Sequence, residues 1–497
     1  MSKERKFSIF CIVILAVFFA YSVFISLNRL IARDEGFYII ASELLLKGKT
    51  LYKDFFFPQM PFTALFYSLC FKIFGISWGV ARLASGLMYF LTGSFLFLYI
   101  RKNYNFGLAL FSLIFFALHP MGFAWQSVIK SYTFVNFFLI IIFILINSYL
   151  SKNKDNKNVI FFIGIIYGLL GLTRLHFLSL LPLILFHIYI KQGKINFKDL
   201  LFFIIGSVIS LSPSVYYFVL SPNDFIFNNL GYHLVRSQTP LEAEFLTKLQ
   251  SLSKLLGLLL SQQVFKTQMF ITYFIPILFG ICYFFVLLVK KNIYFPILYT
   301  LWILILNLIP TPTYLQYHSC VIIFIIILSV DFIKLQNNNI IKFFILSAFI
   351  LINLFYYKES LKSYTITGHN VIGITGQNPE IWNIHLIEKI NEHVNKIETN
   401  KYLVAIWPGH ALNTRHKFLP GTENPFLVKV PEDISEKYGF TKKADILDAI
   451  SNKKVGIVVY KDGDTINKKE LKNFLIKNKF LLRSRVGSVF IWSKYDD

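Results

Sequence analysis

The chain is poor in negative charge and nearly without cysteine. Its 497 residues include 27 Asp and Glu against 50 Lys and Arg, with 4 Cys, and charged residues make up 15% of the total. Cys11, Cys70, Cys282 and Cys320 all stand inside apolar runs, which excludes both a disulfide-framed secreted domain and a cysteine metal motif. So few charges exclude an ordinary soluble protein. What is present instead is apolar: 55% hydrophobic residues, 55 of them Phe, in blocks long enough to cross a bilayer as helices. The expected fold class is therefore an α-helical polytopic membrane protein. The net charge of +23 does not imply a nucleic-acid partner. The chain from Lys358 onward holds 22 Lys and Arg against 16 Asp and Glu, which leaves +17 on the apolar part, where cationic loops report orientation.

Read with charge as compass, Lys3, Arg5 and Lys6 place the N-terminus in the cytoplasm, ahead of a first span, Phe7 to Leu27. That block is longer than a signal-peptide core and lacks a small-residue cleavage site, so it reads as a span. The first outer loop, 28–79, then lies outside. Phe62 to Gly75 is short and carries Lys72, which suits a helix lying on the membrane better than a crossing. The remaining expected spans are Val80 to Ile100, Phe106 to Leu118, Tyr132 to Leu150, Val159 to Thr173, Phe177 to Ile190, Leu200 to Leu220, Gln268 to Val289, Ile293 to Ile309, Tyr314 to Ile333 and Ile340 to Tyr357. With that assignment nearly every short lysine-rich loop falls inside, giving about eleven spans in a plasma (inner) membrane and an extracytoplasmic C-terminus. Leu246 to Leu260 has the periodicity of an interfacial helix.

Two domains are expected: a membrane domain over 1–357 and a small α/β domain over 358–497. In the second, Tyr402 to Trp407, Val455 to Tyr460, Phe480 to Arg485 and Val489 to Trp492 read as strands, and Lys442 to Asn452 and Lys468 to Asn478 as helices. Trp407-Pro408-Gly409 and Asp462-Gly463-Asp464 read as turns. No ligand series continues after the second, so it does not read as a calcium loop.

The stretch from Asn28 to Pro61 holds four carboxylates, Asp34, Glu35, Glu43 and Asp54. Charge beside a bilayer is expensive and is usually kept for a task. Asp34 reads as the N-cap of a helix that carries Phe37, Ile40, Ala41 and Leu44 on one face and ends at Lys47-Gly48. That helix is expected to lie flat on the membrane, with Glu43 pointing to solvent. Leu51-Tyr52-Lys53-Asp54-Phe55-Phe56-Phe57 follows as an aromatic run with one acid.

These residues form a pattern. Asp34-Glu35-Gly36-Phe37-Tyr38, then Gly48 to Phe56 (GKTLYKDFF), Pro61 before a short apolar helix, and Ala81-Arg82-Leu83 opening the next span together resemble the bacterial branch of the protein mannosyltransferase and aminoarabinose transferase superfamily. The likeness extends to Gly168 to Pro182, Thr313 to His318 and Trp407 to Phe426. It implies a GT-C fold and a glycosyltransferase that takes a sugar from a polyprenyl-phosphate carrier. The sugar would pass, with inversion, to a hydroxyl on a lipid, glycan or protein outside the cytoplasm. The first acid of the pair, Asp34, is the one the resemblance implies as catalytic. Two departures stand out: Phe57-Pro58-Gln59-Met60-Pro61 lacks the acid, His or Lys that some relatives carry before the proline, and His119 to Lys130 lacks the Asp of many members.

The chemistry points the same way. A single inverting displacement needs one carboxylate to accept the acceptor's proton and a cation to stabilise the departing phosphate. Asp34 is the candidate base and Glu35 its tuner or a sugar ligand, each also fitting the plain first turn of a helix. Asp54 and Tyr52 are candidate substrate-side residues. For the phosphate, Arg82, Lys130, Arg174, His176, Arg236 and His318 qualify, with Arg82 and Arg174 preferred because a guanidinium is bidentate and always charged. Tyr314, Gln316, Tyr317 and His318 form a polar group that could close over the sugar, or an aromatic belt. No metal site assembles, and no cofactor is expected, because a polyprenyl-phosphate donor presents one phosphate. A lipid-linked oligosaccharide flippase and a surface-polysaccharide polymerase or ligase are the alternatives. The first calls for internal repeats or broken polar helices.

Overall fold

In the computed structural model of the chain, residues 3–149, 157–236, 240–259, 263–368, 382–424, 430–438, 440–461 and 468–495 are described. The expected Asp462-Gly463-Asp464 turn lies outside them. The chain folds into two compact units, neither continuous in sequence. One comprises Met1–Arg29, Ser85–Ser214 and Thr239–Thr375; the other comprises Leu30–Ala84, Val215–Gln238 and Gly376–Asp497.

The protein is a polytopic membrane protein. Its first ten α-helices in chain order are α1 (Lys3–Asn28), α2 (Glu35–Leu46), α3 (Phe62–Phe74), α4 (Trp78–Asn103), α5 (Phe106–Leu118), α6 (Pro120–Gln126), α7 (Ser131–Ile144), α8 (Lys157–Thr173), α9 (Leu181–Gln192) and α10 (Phe197–Leu220). Among the described residues eight helical stretches are long and apolar enough to span a membrane, and nine if α5 and α6 count as one bent span. Two of the shorter apolar helices, α8 and Phe295–Leu308, coincide with expected spans. All eleven expected spans are thus helical, and the excluded Phe62 segment is the short helix α3. The 26 residues of α4 reach about 39 Å at 1.5 Å per residue, enough for a hydrocarbon core.

Within the first unit, small residues let helices approach closely. A Cβ on Gly164 or Gly168 of α8 would run into the backbone of Phe203 and Ser207 or the Ser210 hydroxyl on α10, and Ser207 donates to the Gly164 carbonyl at 3.2 Å. This is how helices associate where lipid supplies no hydrophobic drive. α5 begins at an Asn105 cap whose side chain accepts from Leu108 N at 2.9 Å. It stops because His119 is extended and Pro120 opens the next turn, so α6 leaves at 65°. At the far end of the helix Ile322–Leu335, Asp331 accepts hydrogen bonds from Tyr104 and Tyr294, each at 2.6 Å. The interfacial helix expected from Leu246 instead spans Leu241–Leu255.

In the second unit the C-terminal part forms a four-stranded sheet in the order β1-β2-β4-β3, from β1 (Tyr402–Ala405), β2 (Val455–Lys461), β3 (Phe480–Val486) and β4 (Val489–Lys494). β1 and β2 are parallel, with Val404 opposite Val458, while β4 is antiparallel to both its neighbours. The helices Lys443–Ser451 and Lys468–Lys477 stand within a residue of their expected bounds. β2 is central and almost wholly buried, so it reads as a continuous Val/Ile run and not as an alternation. Ile450, Val458, Leu475 and Trp492 form the core between sheet and helices. All four cysteines are free thiols.

Candidate functional site

The acidic loop lies in the second unit. Glu35 opens α2 and is fully buried with Arg82: Nε lies 2.7 Å from Oε2 and Nη2 donates to Oε1 at 2.9 Å, with both side chains at 0% exposure. Glu35 Oε1 also accepts from Ala32 N at 2.6 Å. Arg82, preferred from sequence as a phosphate ligand, is therefore engaged by Glu35. Such a pair holds its geometry tightly, because losing either partner strands a buried charge. Asp34 sits at the N-cap position but does not cap. Its backbone is helical, φ −72° and ψ −16°, and its side chain makes no capping bond, whereas capping needs an extended N-cap residue. The expected N-cap role of Asp34 is thus corrected. Its side chain is half-buried.

α2 does not present one buried face, as its apolar spacing suggests. Every residue from Glu35 to Glu43 is buried. Its N-terminal end meets Trp407, whose Nε1 donates to the Arg33 carbonyl at 2.8 Å. A Cβ on Gly36 would lie 2.8 Å from the Trp407 ring, so only glycine allows this contact. Trp407 stacks on Trp78 at 5.7 Å and meets Trp382 and His410 edge-on, each at 4.7 Å. Burial, aided by the Lys461 charge, lowers the His410 imidazole to about 3, so it is neutral. At the other end of α2, Glu43 pairs with Lys47 at 2.6 Å and accepts from Asn413 N at 3.2 Å. The expectation that Glu43 faces solvent is therefore wrong. It is 3% exposed, and burial raises its pKa despite Lys47.

Tyr52 and Asp54 are occupied in shaping the loop. Tyr52 is buried at φ +70°, donates its hydroxyl to the Gln59 carbonyl at 2.8 Å, and packs edge-on against Tyr217 and Phe225. Burial pushes its phenol upward. Asp54 is exposed and accepts from Thr50 N at 2.7 Å, closing a turn.

Of the six expected cationic groups, Lys130, Arg174, His176 and His318 lie in the first unit, and Arg236, like Arg82, in the second. Lys130 Nζ lies over the rings of Trp125 and Tyr132, at 4.8 and 5.6 Å, and the Arg174 guanidinium over Tyr132 and Tyr317, each at 5.1 Å. Tyr132 thus carries both cations on its ring, an arrangement cation–π attraction favours. Arg29, which sequence reading passed over, lies over Trp125 and Tyr364 and donates to the Ala124 carbonyl at 3.0 Å. His318 is buried, and neither ring nitrogen has a hydrogen-bond partner among the described residues. His176 packs on Phe177 at 4.8 Å. Gln316 is buried, whereas Tyr314 is exposed and meets Tyr317 edge-on. An apolar groove of about 390 Å³ opens between α9, which follows Arg174, and the helix Phe295–Leu308. Among the described residues no three His, Cys, Asp or Glu side chains gather to hold a metal.

No protein-family model and no curated protein sequence matches the chain. Solved structures do. ArnT from Cupriavidus metallidurans bound to undecaprenyl phosphate aligns with a TM-score of 0.65 at 13% identity, covering 98% of each chain. The apo state of the same protein gives 0.63 at 13% identity, over 99% of this chain and 98% of that one. The Archaeoglobus fulgidus oligosaccharyltransferase, in complex with Zn and sulfate, gives 0.50 at 16%, over 90% of this chain and 68% of that chain. The chain has the GT-C fold. At these identities the likeness is one of architecture, and site chemistry has to come from this chain's own residues.

Trp407, Trp382, Trp78 and His410 escaped the candidate set although Trp407-Pro408-Gly409-His410 was visible as a motif. Trp407 and Trp382 stand more than 300 residues from the Arg33 and Ile31 backbone groups they bond, which hid those contacts.

Proposed function

We propose that the protein is a membrane glycosyltransferase that moves a sugar from a polyprenyl-phosphate carrier to a hydroxyl acceptor on the extracytoplasmic side. The observation that carries this reading is Asp34. It starts a buried helix in a GT-C fold, next to Glu35, which Arg82 holds in place. Asp34 serves as general base. The acceptor hydroxyl gives its proton to Asp34, its oxygen bonds to the anomeric carbon from the face opposite the carrier, and the anomeric C–O bond breaks with its electron pair leaving on the carrier phosphate. Glu35 acts by fixing α2 through Arg82 and does not touch the sugar.

Lys130 and Arg174, gathered on Tyr132 with Tyr317, stabilise the departing phosphate, with His176 and His318 beside them in sequence. The carrier's prenyl chain takes the apolar groove along α9. Support for the donor class comes from the ArnT structure, which is bound to undecaprenyl phosphate. One phosphate with two cations to meet it needs no obligatory metal. The acceptor hydroxyl belongs to a lipid, glycan or protein.

The test is genetic and chemical. A deletion strain should accumulate one polyprenyl-phosphate sugar and lack one surface glycan by mass analysis, and the wild-type gene should reverse both. Asp34→Asn should fold normally yet lower turnover on the order of 10²–10⁴-fold. Full restoration by Asp34→Asn would remove the assignment.

A further inference from the structure

We propose that residues 407–414 clamp α2 and that Trp407 is a positioning residue for Asp34, an inference resting on the reading of Asp34 as base. The Arg33 carbonyl that accepts from Trp407 Nε1 belongs to the peptide unit leading into Asp34. That unit is planar, so holding its oxygen holds the nitrogen of Asp34. On the other side, Glu35 is pinned by Arg82 and by Ala32 N. Asp34 is thus a half-buried residue between two fixed neighbours.

The clamp is itself braced. Trp78 lies against the Trp407 ring within 17° of parallel, Trp382 and His410 meet its edges, and the Trp382 carbonyl accepts from Ile31 N at 2.7 Å. The same tryptophan group therefore holds the chain on both sides of Arg33. Gly36 admits the indole to within contact of the α2 backbone. At the far end of α2, Asn413 N reaches Glu43 and Lys47 Nζ donates to the Thr414 carbonyl at 3.2 Å, so the helix can neither slide nor tilt away. A proton acceptor misplaced by about 1 Å loses about a hundredfold in rate, which is what such bracing prevents.

The experiment uses the full-length protein and membrane vesicles from the deletion strain, which carry the accumulated donor. Initial rates of donor consumption are read by mass spectrometry over a dilution series and from pH 5 to 9. Trp407→Phe keeps a ring and removes the donor to Arg33. It should lower the maximal rate about tenfold, leave half-saturation within about twofold, and move the acid limb of the pH profile. Ile450→Val, a change in the sheet core with a small stability cost of its own, should do none of these.

An unchanged maximal rate in Trp407→Phe, with Asp34→Asn inactive, overturns the clamp while the base assignment stands. Equal rate losses in Trp407→Phe and Ile450→Val also overturn it, by reducing it to stability. Full activity in Asp34→Asn removes the reading beneath it. Gly36→Ala, which displaces the indole without removing it, is the second variant should Trp407→Phe fail to fold. It should reproduce the same selective fall in maximal rate, and an unchanged rate overturns the clamp.

Discussion

Two groups of buried charge, the acids of α2 in the second unit and Lys130 with Arg174 in the first, have different surroundings. In the second, Glu35 and Glu43 each face a countercharge and a backbone N–H, so direction as well as charge is specified. In the first, Lys130 and Arg174 lie over aromatic faces, an attraction less directional than an ion pair. Fixing Glu35 and Glu43 fixes both ends of α2, which suits the proposed proton acceptor, Asp34, at its start. A cation backed by aromatic rings suits a leaving phosphate that must be bound, stabilised and released.

The same substitution made in each unit tests that contrast. Arg82→Gln leaves Glu35 buried and uncompensated and should destabilise the protein by about 3–5 kcal/mol, seen as a large fall in melting temperature in detergent. Arg174→Gln should leave the melting temperature within about 2 °C but raise half-saturation for the polyprenyl-phosphate donor about tenfold, the worth of one charge-assisted contact. Equal stability losses at both positions would erase the distinction.

Much of the fold is legible in the sequence. Hydropathy locates the apolar helices because bilayer thickness dictates their length, and the tail's sheet follows from short β-branched runs between turn residues. Asp34, Glu35, Arg82, Lys130, Arg174 and Tyr317 all stand out as residue types in place. Their partners do not. That Arg82 pairs with Glu35, that Glu43 is buried, and that Asp54 closes a turn with Thr50 depend on contacts that periodicity does not encode. The Glu43 partner Asn413 is 370 residues away, and α2 reads as one-sided only while the segment that covers its other sides is out of view.

A smaller effect probes the tight unit from within. Gly36→Ala forces a methyl to within 2.8 Å of the Trp407 ring, and overpacking of this kind costs about 1–3 kcal/mol. Combined with Trp407→Phe, the loss should be less than the sum of the two, because the smaller ring vacates part of the contested space. The first unit offers a matched case: Gly164→Ala presses on the Phe203 backbone, which has no side chain to yield, and no single aromatic replacement relieves it.

The smallest expected effect concerns pH. Burial raises Glu423 in the second unit to about 7, with Lys49 opposing. A carboxyl with a raised folded-state pKa binds its proton more tightly when folded than when unfolded, where the value is about 4.3. Its contribution is therefore fully present below the unfolded value and is lost as pH rises from about 4.3 through about 7. Burial lowers the imidazoles of His410 and His416, and they act with the opposite sign, because the unfolded chain takes up the proton first as pH falls. The whole-protein profile mixes the two. The difference between wild type and Glu423→Gln isolates the carboxyl: the variant should match wild type near pH 4 and gain melting temperature over it by pH 8. A difference that stays flat across that range would mean the Glu423 carboxyl is as well solvated folded as unfolded, and that the tail's acids are less tightly enclosed than those of α2.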